Sequence, residues 1–555
     1  MTKRPTFYLL ILFLSFLVCL PAIVPFFHAG YFPTHDGEWA VVRLGDMFRT
    51  LRDFQVPARY SGNLNFGYGY PLFNFAYPFP YYAGVLFHFL GFGFVTTIKF
   101  LFAGTVVLSA FFMFFASRAL WKSTWAGIIS AILYIYFPYR MIDLYVRGSI
   151  GECLSFVLFP LLLFLTIKLI NRFSFLYIGA ISLSFASLVM SHNIMTVLFI
   201  PFYVVFVLIY SILINRAAIK LHFASIFLGL GLSAFFWAPA LLEKSNILLS
   251  KIPIADRGLY FVTLKQFLVP TWGYGAPLDT NGFSYQLGLA HLVLFIISAL
   301  FLLILLVKDK DCLRTPAAKI TPVLIMLVVF YAFLLFKPSE FLWENIPLLS
   351  EINYPWIILG MLGFLISLLA GFLAKQTLGK YIVVFFAIVA ILIALPYAKP
   401  EKYINNQDGY YLTNEATTTS SNELMPLWVQ EMPLQRFKTK VEIIKSEGKI
   451  NNLSYNSKKI SFSINSISKA QVKINTIYYP GWKISVDGLN TGISYNNKQG
   501  VMEISVSPGK HVVLAKFGET TLRLISDWIS LFSFFVVLLL IVAGNKHSKI
   551  TNYFK

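Results

Sequence analysis

The sequence predicts a polytopic α-helical membrane protein of about twelve spans, with an antiparallel β-sandwich or jelly-roll domain before the last span. Composition is the first observation behind this prediction: 57% of the residues are hydrophobic and 13% are charged, which excludes an ordinary soluble globular protein. The second observation is a series of long apolar runs. The third is an abrupt change to polar, alternating sequence after Pro400.

The apolar runs define the predicted spans. Their bounds are 7–27, 96–117, 125–139, 153–169, 175–191, 194–214, 221–242, 287–307, 320–336, 354–373, 381–397 and 524–543. A further apolar run, 80–92, is too short to cross a bilayer and is predicted to be re-entrant or interfacial.

Lysine and arginine residues assign the two faces of the membrane, because short cytoplasmic loops carry an excess of them. They precede the first span and then fall in alternate loops: Lys3, Arg4, Arg118, Lys122, Lys168, Arg172, Arg216, Lys220, Lys308, Lys310, Arg314, Lys319, Lys375, Lys380, Lys546, Lys549 and Lys555. Both termini are therefore predicted to be cytoplasmic in a multi-pass plasma-membrane protein, with loops 28–95, 243–286 and 337–353 outside. The first span is expected to be a retained anchor.

The net charge of +20 would suggest a nucleic-acid partner in a soluble protein. Here the inside-positive bias and attraction to anionic lipid headgroups account for much of it. The chain has no nucleic-acid motif, so no nucleic-acid partner is expected. Cys19, Cys153 and Cys312 lie in or beside spans, so neither a disulfide framework nor a thiol metal site is expected.

Three regions follow from this organisation: a transmembrane domain (1–397), an outer β-domain (398–522), and the last span with a cytoplasmic tail (523–555). Within the β-domain, short alternating stretches are separated by turn pairs such as Pro480-Gly481 and Pro508-Gly509. Such spacing predicts an antiparallel sandwich or jelly roll. The segment 413–424 is predicted to be a flexible loop.

Asp36 is the leading candidate for chemistry. It follows the first span by nine residues, so the chain holds it within about 30 Å of the bilayer. A carboxylate there can accept a proton from an attacking hydroxyl or hold a divalent metal that bridges a phosphate. The alternative is that Asp36 caps the amphipathic helix predicted from Glu38 to Phe54. His35 can tune Asp36 or bind substrate, and a structural role is its alternative.

The short second outer loop, 139–152, carries charges between two spans, where they are costly unless paired or used. Arg147 is suited to bidentate phosphate binding, with Glu152 beside it, and Arg140 is a second basic candidate. The alternative for Arg147 and Glu152 is an ion pair that closes a helix end.

Two further groups of polar residues lie on the predicted outer face. His192 and Asn193 break two spans, where His192 can donate a hydrogen bond to phosphate or sugar, or be an inert turn residue. The aromatic and polar run 65–75 suits sugar faces and hydroxyls, although aromatic residues also anchor at membrane interfaces. Its candidate sugar-binding residues are Asn65, Tyr68, Tyr70 and Asn74.

Several motifs are absent from the sequence: a Walker loop, a dinucleotide-binding glycine pattern, HExxH and a heme-attachment pattern. The predicted inner loops are also too short to form a nucleotide-sugar domain. A transferase built on this chain is therefore expected to use a lipid-carried donor.

Five motifs together resemble the GT-C superfamily of integral-membrane glycosyltransferases, and more closely the bacterial membrane proteins of the pyruvoyl-tetrahydropterin-synthase-related and YfhO types. They are His35-Asp36-Gly37, the run 65–75, Arg147-Gly148 with Glu152, Ser191-His192-Asn193, and the stretch 478–488 of the β-domain. The resemblance implies a GT-C-like membrane domain and sugar transfer from a polyprenyl-phosphate donor to an extracytoplasmic cell-envelope acceptor. That acceptor is a glycan, lipid or protein. No pterin chemistry is expected, since the chain has no His-rich metal cluster.

The same resemblance implies that Asp36 acts as base or metal anchor, that Arg147 takes the phosphate, and that Glu152 orients or assists. Many superfamily members have paired acidic residues around this loop, whereas here Asp36 is accompanied by His35 and, two residues further on, by Glu38. The cofactor is therefore unknown, with a divalent metal ion on Asp36 as the candidate. The alternative functions are a transporter or flippase of lipid-linked glycans and a non-catalytic envelope-assembly protein.

Overall fold

The computed structural model describes residues 3–279, 282–308 and 314–553; Cys312 lies outside these ranges. Its α-helices in chain order are α1 (Lys3–Ile23), α2 (Gly37–Arg52), α3 (Leu72–Phe75), α4 (Phe79–Phe89), α5 (Phe94–Trp121), α6 (Thr124–Ile135), α7 (Pro138–Ile142), α8 (Ile150–Asn171), α9 (Phe175–Ser191), α10 (Asn193–Ile214), α11 (Ala218–Leu232), α12 (Ala234–Leu242), α13 (Leu264–Leu268), α14 (Leu289–Lys308), α15 (Pro316–Leu334), α16 (Glu340–Asn345), α17 (Pro347–Ser350), α18 (Leu359–Ala374), α19 (Thr377–Ala394), α20 (Asp408–Leu412) and α21 (Thr521–Tyr553). The strands are β1 (Val441–Lys445), β2 (Gly448–Tyr455), β3 (Lys459–Ser466), β4 (Ala470–Ile477), β5 (Trp482–Val486), β6 (Leu489–Thr491), β7 (Val501–Val506) and β8 (Gly509–Phe517).

Among the described residues, nine helical segments are long and apolar enough to cross a membrane. Two bent helix pairs bring the number to as many as eleven: α6 with Pro138–Arg147, bent by 48°, and α11 with α12, bent by 71°. Each of the twelve predicted runs coincides with one of these elements or with the shorter apolar helix α9. A multi-pass helical membrane domain is therefore found, while the exact span count and the sidedness stay predictions.

Helix α18 forms the centre of the helical body, since all of its residues are buried. The bend after α6 begins at Pro138, where the ring removes a backbone donor and interrupts the helix. The chain then makes a π-helical turn, Asp143–Arg147, which ends at Gly148 with φ +66°. This irregular stretch directs Arg147 out of the spanning helix.

The C-terminal β-domain contains two antiparallel sheets. One has three strands in the order β1-β4-β7, and the other has five in the order β2-β3-β8-β5-β6. Burial alternates along β3, with Ile460, Phe462 and Ile464 inside, as expected for strands with one packed face. The predicted antiparallel β-domain is therefore found, whereas sandwich or jelly-roll topology stays a prediction.

The loop 28–95 and the β-domain share an interface. The Tyr60 hydroxyl donates to the Ile477 carbonyl at 2.8 Å, and Lys440 Nζ donates to the Gly67 carbonyl at 2.7 Å. The segment 413–424 is irregular, and Thr418 within it is fully buried and is hydrogen-bonded by Arg43 and Tyr70. These contacts pack the segment 413–424, which follows α19, against the loop 28–95. The flexibility of this segment stays a prediction.

Candidate functional site

Three long helices begin at one cavity of about 180 Å³: α2, α8 and α10. Its lining residues are Asp36, Trp39, Ala40, Arg43, Tyr77, Tyr81, Arg147, Gly148, Ser149, Ile150, His192, Thr419, Ser420 and Glu423. The N-terminus of a helix carries a partial positive charge and free amide donors, so the convergence favours an anionic ligand. The lining residues come from four parts of the chain, 36–81, 147–150, 192 and 419–423, so the cavity forms only in the folded protein.

Asp36 occupies the N-cap position of α2, but its side chain makes no capping hydrogen bond. Thr34 takes that role, because its hydroxyl oxygen accepts from the Gly37 amide at 2.9 Å. The carboxylate of Asp36 is thus left to line the cavity. Burial raises the pKa of Asp36, against the opposing influence of Arg147, Arg43 and His35.

Backbone pairing sets Asp36 beside Arg147. The His35 amide donates to the Val146 carbonyl at 2.9 Å, and the Asp36 amide donates to the Arg147 carbonyl at 2.7 Å. Gly148 allows this close approach, because a Cβ there would lie 2.2 Å from the Thr34 hydroxyl oxygen. Its positive φ also favours glycine. The Arg147-Gly148 pair noticed in the sequence therefore has a steric reason.

Arg147 is held by acidic and aromatic groups behind the cavity. Its Nη1 donates to the Tyr139 hydroxyl at 3.1 Å and to Asp143 Oδ1 at 3.4 Å, and it forms an ion pair with Glu152 Oε1. The guanidinium carbon lies 4.7 Å from the centroid of the Trp356 ring. All three polar contacts use the same nitrogen, so they do not consume the other N–H donors of this cavity-lining guanidinium.

Glu152 is fully buried and is not among the cavity-lining residues. One carboxylate oxygen accepts from the Tyr139 hydroxyl at 2.8 Å. The other pairs with Arg147 and lies 3.7 Å from His192 Nε2. Glu152 is therefore placed to position two cavity-lining side chains rather than to touch a ligand.

His192 caps α10 and reaches the cavity. Its Nδ1 accepts from the Met195 amide at 3.3 Å. Burial lowers the pKa of His192 to about 4, so the ring is neutral near pH 7. A neutral imidazole whose Nδ1 is an acceptor carries its proton on Nε2, which makes His192 a hydrogen-bond donor at the cavity.

The remaining wall comes from residues that the sequence analysis did not single out as site residues. Arg43, placed on the polar face of the predicted helix, lines the cavity and donates to the Thr418 hydroxyl at 3.0 Å. Tyr77 and Tyr81 line it from the first outer loop, with ring centroids 6.2 Å apart. Glu423 belongs to the segment predicted to be flexible. The alternation of hydrophobic and polar residues carries no signal for such distant packing.

Three further predicted site residues, His35, Asn193 and Arg140, lie outside the cavity lining. His35 is exposed, with Nε2 3.2 Å from the Tyr274 carbonyl oxygen. Asn193 is an exposed residue at the start of α10. Arg140 is buried inside the helical body, where it donates to Thr105 and Ser109 at 3.3 Å each. A direct ligand contact for these three stays a prediction without geometric support.

The four predicted sugar-binding residues of the run 65–75 are all buried and do not line the cavity. Asn74 Nδ2 donates to Glu243 Oε2 at 2.9 Å, and the Tyr70 hydroxyl lies 3.1 Å from the Thr418 hydroxyl. Asn65 contacts the Met425 sulfur at 3.9 Å, and the Tyr68 ring packs against a phenylalanine ring of the β-domain linker. The structure thus places these side chains in the interface between the loop 28–95 and the segments that precede α21.

Within the described ranges, no group of three or more His, Cys, Asp or Glu side chains is arranged to hold a metal ion. The cavity itself offers Asp36 and Glu423 beside two arginines, Arg43 and Arg147. Two guanidinium groups and three helix N-termini fit an anion better than a divalent cation. No step is therefore assigned to a metal.

No protein-family model matches the chain. An uncharacterised protein of Lactococcus lactis subsp. cremoris (strain MG1363) is 28% identical over 308 residues, which are 53% of this chain and 48% of that protein. The chain thus spans about half the length of the curated relative it matches.

Among solved structures, the chain is similar to the arabinofuranosyltransferase AftD from Mycobacteria, with 18% identity and a TM-score of 0.43 over 72% of this chain and 26% of that one. It is also similar to the oligosaccharyltransferase AglB from Archaeoglobus fulgidus, with 13% identity and a TM-score of 0.42 over 77% of this chain and 62% of that one. Both neighbours are glycosyltransferases by name, whereas the YfhO-type resemblance of this chain stays a prediction.

Proposed function

We propose that the cavity transfers a sugar from a polyprenyl-phosphate donor to a hydroxyl group of an extracytoplasmic cell-envelope acceptor. One observation carries the proposal: the Asp36 carboxylate does not cap its helix but lines the same cavity as Arg147 and His192. This arrangement combines a carboxylate base with donors suited to a phosphate leaving group.

In the proposed step, the acceptor oxygen attacks the anomeric carbon of the donor sugar and its proton passes to the Asp36 carboxylate. The bond between the anomeric carbon and the phosphate oxygen breaks, and its electron pair leaves with the lipid phosphate. Such a single displacement inverts the anomeric configuration.

The leaving phosphate would be stabilised by donors that are already in place. Arg147 supplies a guanidinium, His192 supplies the Nε2 proton, and the start of α8 at Ile150 supplies amide donors and a positive dipole. Glu152 acts in this scheme as a positioning residue, because it contacts Arg147 and Tyr139 but does not line the cavity.

The acceptor would enter along the wall formed by Thr419, Ser420 and Glu423. These polar groups can receive hydrogen bonds from, or donate them to, sugar hydroxyls. A plasma-membrane location with the cavity on the outer side fits this scheme, and the arginine and lysine pattern of the loops supports it.

A direct test supplies radiolabelled polyprenyl-phosphate sugars to the purified protein in proteoliposomes that contain candidate envelope acceptors. The proposal predicts a labelled acceptor together with release of polyprenyl phosphate. Movement of intact donor between leaflets without transfer would instead indicate a flippase. Binding without either process would indicate a non-catalytic assembly protein, and both results would contradict the proposal.

A further inference from the structure

The exposed face of the five-stranded sheet is strongly basic. Its strands contain five exposed lysines and, within their described residues, no aspartate or glutamate. The lysines are Lys449, Lys459, Lys483, Lys510 and Lys516. A sheet face with a single sign of charge is a candidate surface for an anionic partner.

Three of these lysines form a continuous row across adjacent strands. Lys516 on β8 is paired in register with Lys459 on β3 and with Lys483 on β5. Side chains directly opposite each other on an antiparallel pair share one face, with Cβ atoms about 4.5–5.5 Å apart. The next register row, formed by Ile460, Ala515 and Ile484, is buried, so the three lysines lie on the outer face. We refer to Lys459, Lys483 and Lys516 as the lysine row.

Like charges directly opposite each other destabilise a sheet, and the neighbouring sheet avoids this arrangement. There, Lys473 on β4 is paired in register with Glu442 on β1 and with Glu503 on β7. The same domain therefore places opposite charges across one sheet and equal charges across the other. The lysine row is the arrangement that an external anion would stabilise.

The row lies at the end of the sheet that leads into the last apolar helix. Strand β8 ends at Phe517 and α21 begins at Thr521, so the chain keeps Lys516 within about 18 Å of the start of α21. The apolar part of α21, Thr521–Gly544, is long enough to span a bilayer. The row is thus within reach of the headgroup layer at the point where α21 would enter it.

Exposed apolar residues lie near the residue that precedes Lys459. Phe54 and Val56 have 81% and 72% of their surface exposed, and Lys458 donates to the Phe54 carbonyl oxygen. Apolar side chains next to lysines are typical of a membrane–water interface. The nearby carboxylates already have partners: Asp53 accepts from the Ser457 amide at 2.8 Å, and Glu519 pairs with Arg59 at 3.4 Å.

We propose that the lysine row binds the phosphate groups of anionic lipid headgroups in the leaflet that α21 enters, and so holds the β-domain against the membrane surface. This inference concerns a surface separate from the cavity and does not depend on the transferase proposal.

The test compares the full-length protein in nanodiscs of phosphatidylcholine alone and of equal parts phosphatidylcholine and phosphatidylglycerol. Lysine acylation by a soluble amine-reactive reagent is followed residue by residue with mass spectrometry. In the anionic nanodiscs we expect acylation of the lysine row to slow several-fold, while Lys449 and Lys510 at the opposite end of the sheet react equally in both lipids. High salt should remove the difference.

Equal acylation of the row in both lipids would overturn the proposal, as would equal protection of Lys449 and Lys510. Protection by inorganic phosphate added to neutral nanodiscs would assign the row to a soluble anion and would also overturn it. A matched pair of variants adds a second test: K483Q/K516Q should abolish the lipid dependence of Lys459, whereas K449Q/K510Q, with the same change in net charge, should preserve it. The wild-type measurement decides the question even if a variant fails to fold.

Discussion

Two buried glutamates of this protein each pair with an arginine and a tyrosine, but only one of the two arginines lines the cavity. Glu152 pairs with Arg147 and accepts from the Tyr139 hydroxyl, and Glu243 pairs with Arg523 and accepts from the Tyr479 hydroxyl at 3.2 Å. Around Glu152 the arginine faces a cavity that Asp36 also lines.

Around Glu243 the protein itself supplies the partners. Arg523 donates from two nitrogens, at 2.8 and 3.1 Å, and Asn74 and Thr520 donate at 2.9 and 3.2 Å. These groups come from the first outer loop, the β-domain side and the start of α21, so the Glu243 cluster fastens three regions together. A buried arginine–glutamate pair therefore indicates a binding site when the arginine lines a cavity, as Arg147 does, and a structural contact when the arginine is fully enclosed, as Arg523 is.

The substitution Asp36→Asn, on the cavity side of this comparison, should have the largest effect, and that effect is on the rate of sugar transfer. Loss of the proposed base should reduce the transfer rate by about 10²–10⁴-fold, measured with the radiolabelled donor. The melting temperature should be unchanged or higher, because burial already disfavours the ionised carboxylate.

Asp46→Asn is the matched control, since Asp46 is a buried carboxylate of the same helix that accepts from Asn63 at 3.1 Å, outside the cavity. We expect Asp46→Asn to retain transfer. Full transfer by Asp36→Asn would remove Asp36 from the mechanism.

The substitution Glu243→Ala, in the fully enclosed cluster, should lower the stability of the protein. It leaves the fully buried Arg523 without its carboxylate, and uncompensated buried charges of this kind cost about 3–5 kcal/mol of folding free energy. Thermal unfolding should show the loss, while the protein that remains folded keeps its affinity for donor. Glu431→Ala, which removes an exposed ion pair with Lys498, should change the melting temperature little. Equal melting temperatures of the Glu243→Ala and Glu431→Ala variants would contradict a structural role for the Glu243 cluster.

The pH dependence of transfer distinguishes the two titratable groups of the cavity. Asp36 must be ionised to accept a proton, and burial raises its pKa, so kcat/KM should fall on acidification with a midpoint above the ordinary aspartate value of about 3.9. The pKa of His192 is lowered to about 4, so that ring is neutral above about pH 5 and a fall in kcat/KM there is assigned to Asp36. A profile that is flat down to pH 4 would contradict the assignment of Asp36 as base.

Asn74→Ala gives the smallest expected effect and separates a sugar-binding role from a structural one. It removes one of several donors to Glu243, so we expect a loss of about 0.5–1.5 kcal/mol of stability and an unchanged KM for donor and acceptor. A large rise in KM at an unchanged melting temperature would instead support the sugar-binding role predicted from the sequence.

The sequence predicted the helical body, the β-domain and three cavity-lining side chains, Asp36, Arg147 and His192. These were accessible to prediction because a polar residue at the end of an apolar run is costly there, and because alternate loops share one face of the membrane. Local spacing and topology were sufficient for this part of the site.

The rest depends on contacts between distant parts of the chain. Tyr70 and Asn74 have the composition of a sugar-binding run, but their partners, Thr418 and Glu243, lie more than a hundred residues further along the chain. Arg43 and Glu423 reach the cavity only because the linker before the β-domain packs against α2. Hydrophobic periodicity does not encode such packing, so the outer wall was missed and the interface residues were assigned to binding.

Occupancy of the cavity by a phosphate-bearing lipid is the most direct measurement of the central claim. Ser420→Cys places a thiol at an exposed cavity-lining position, and Leu434→Cys places one at a residue 86% exposed on the outer region. Maleimide labelling of each variant is measured by mass spectrometry with and without polyprenyl phosphate. The account predicts that the lipid slows labelling at position 420 and leaves position 434 unaffected, whereas equal labelling at position 420 with and without the lipid would contradict it.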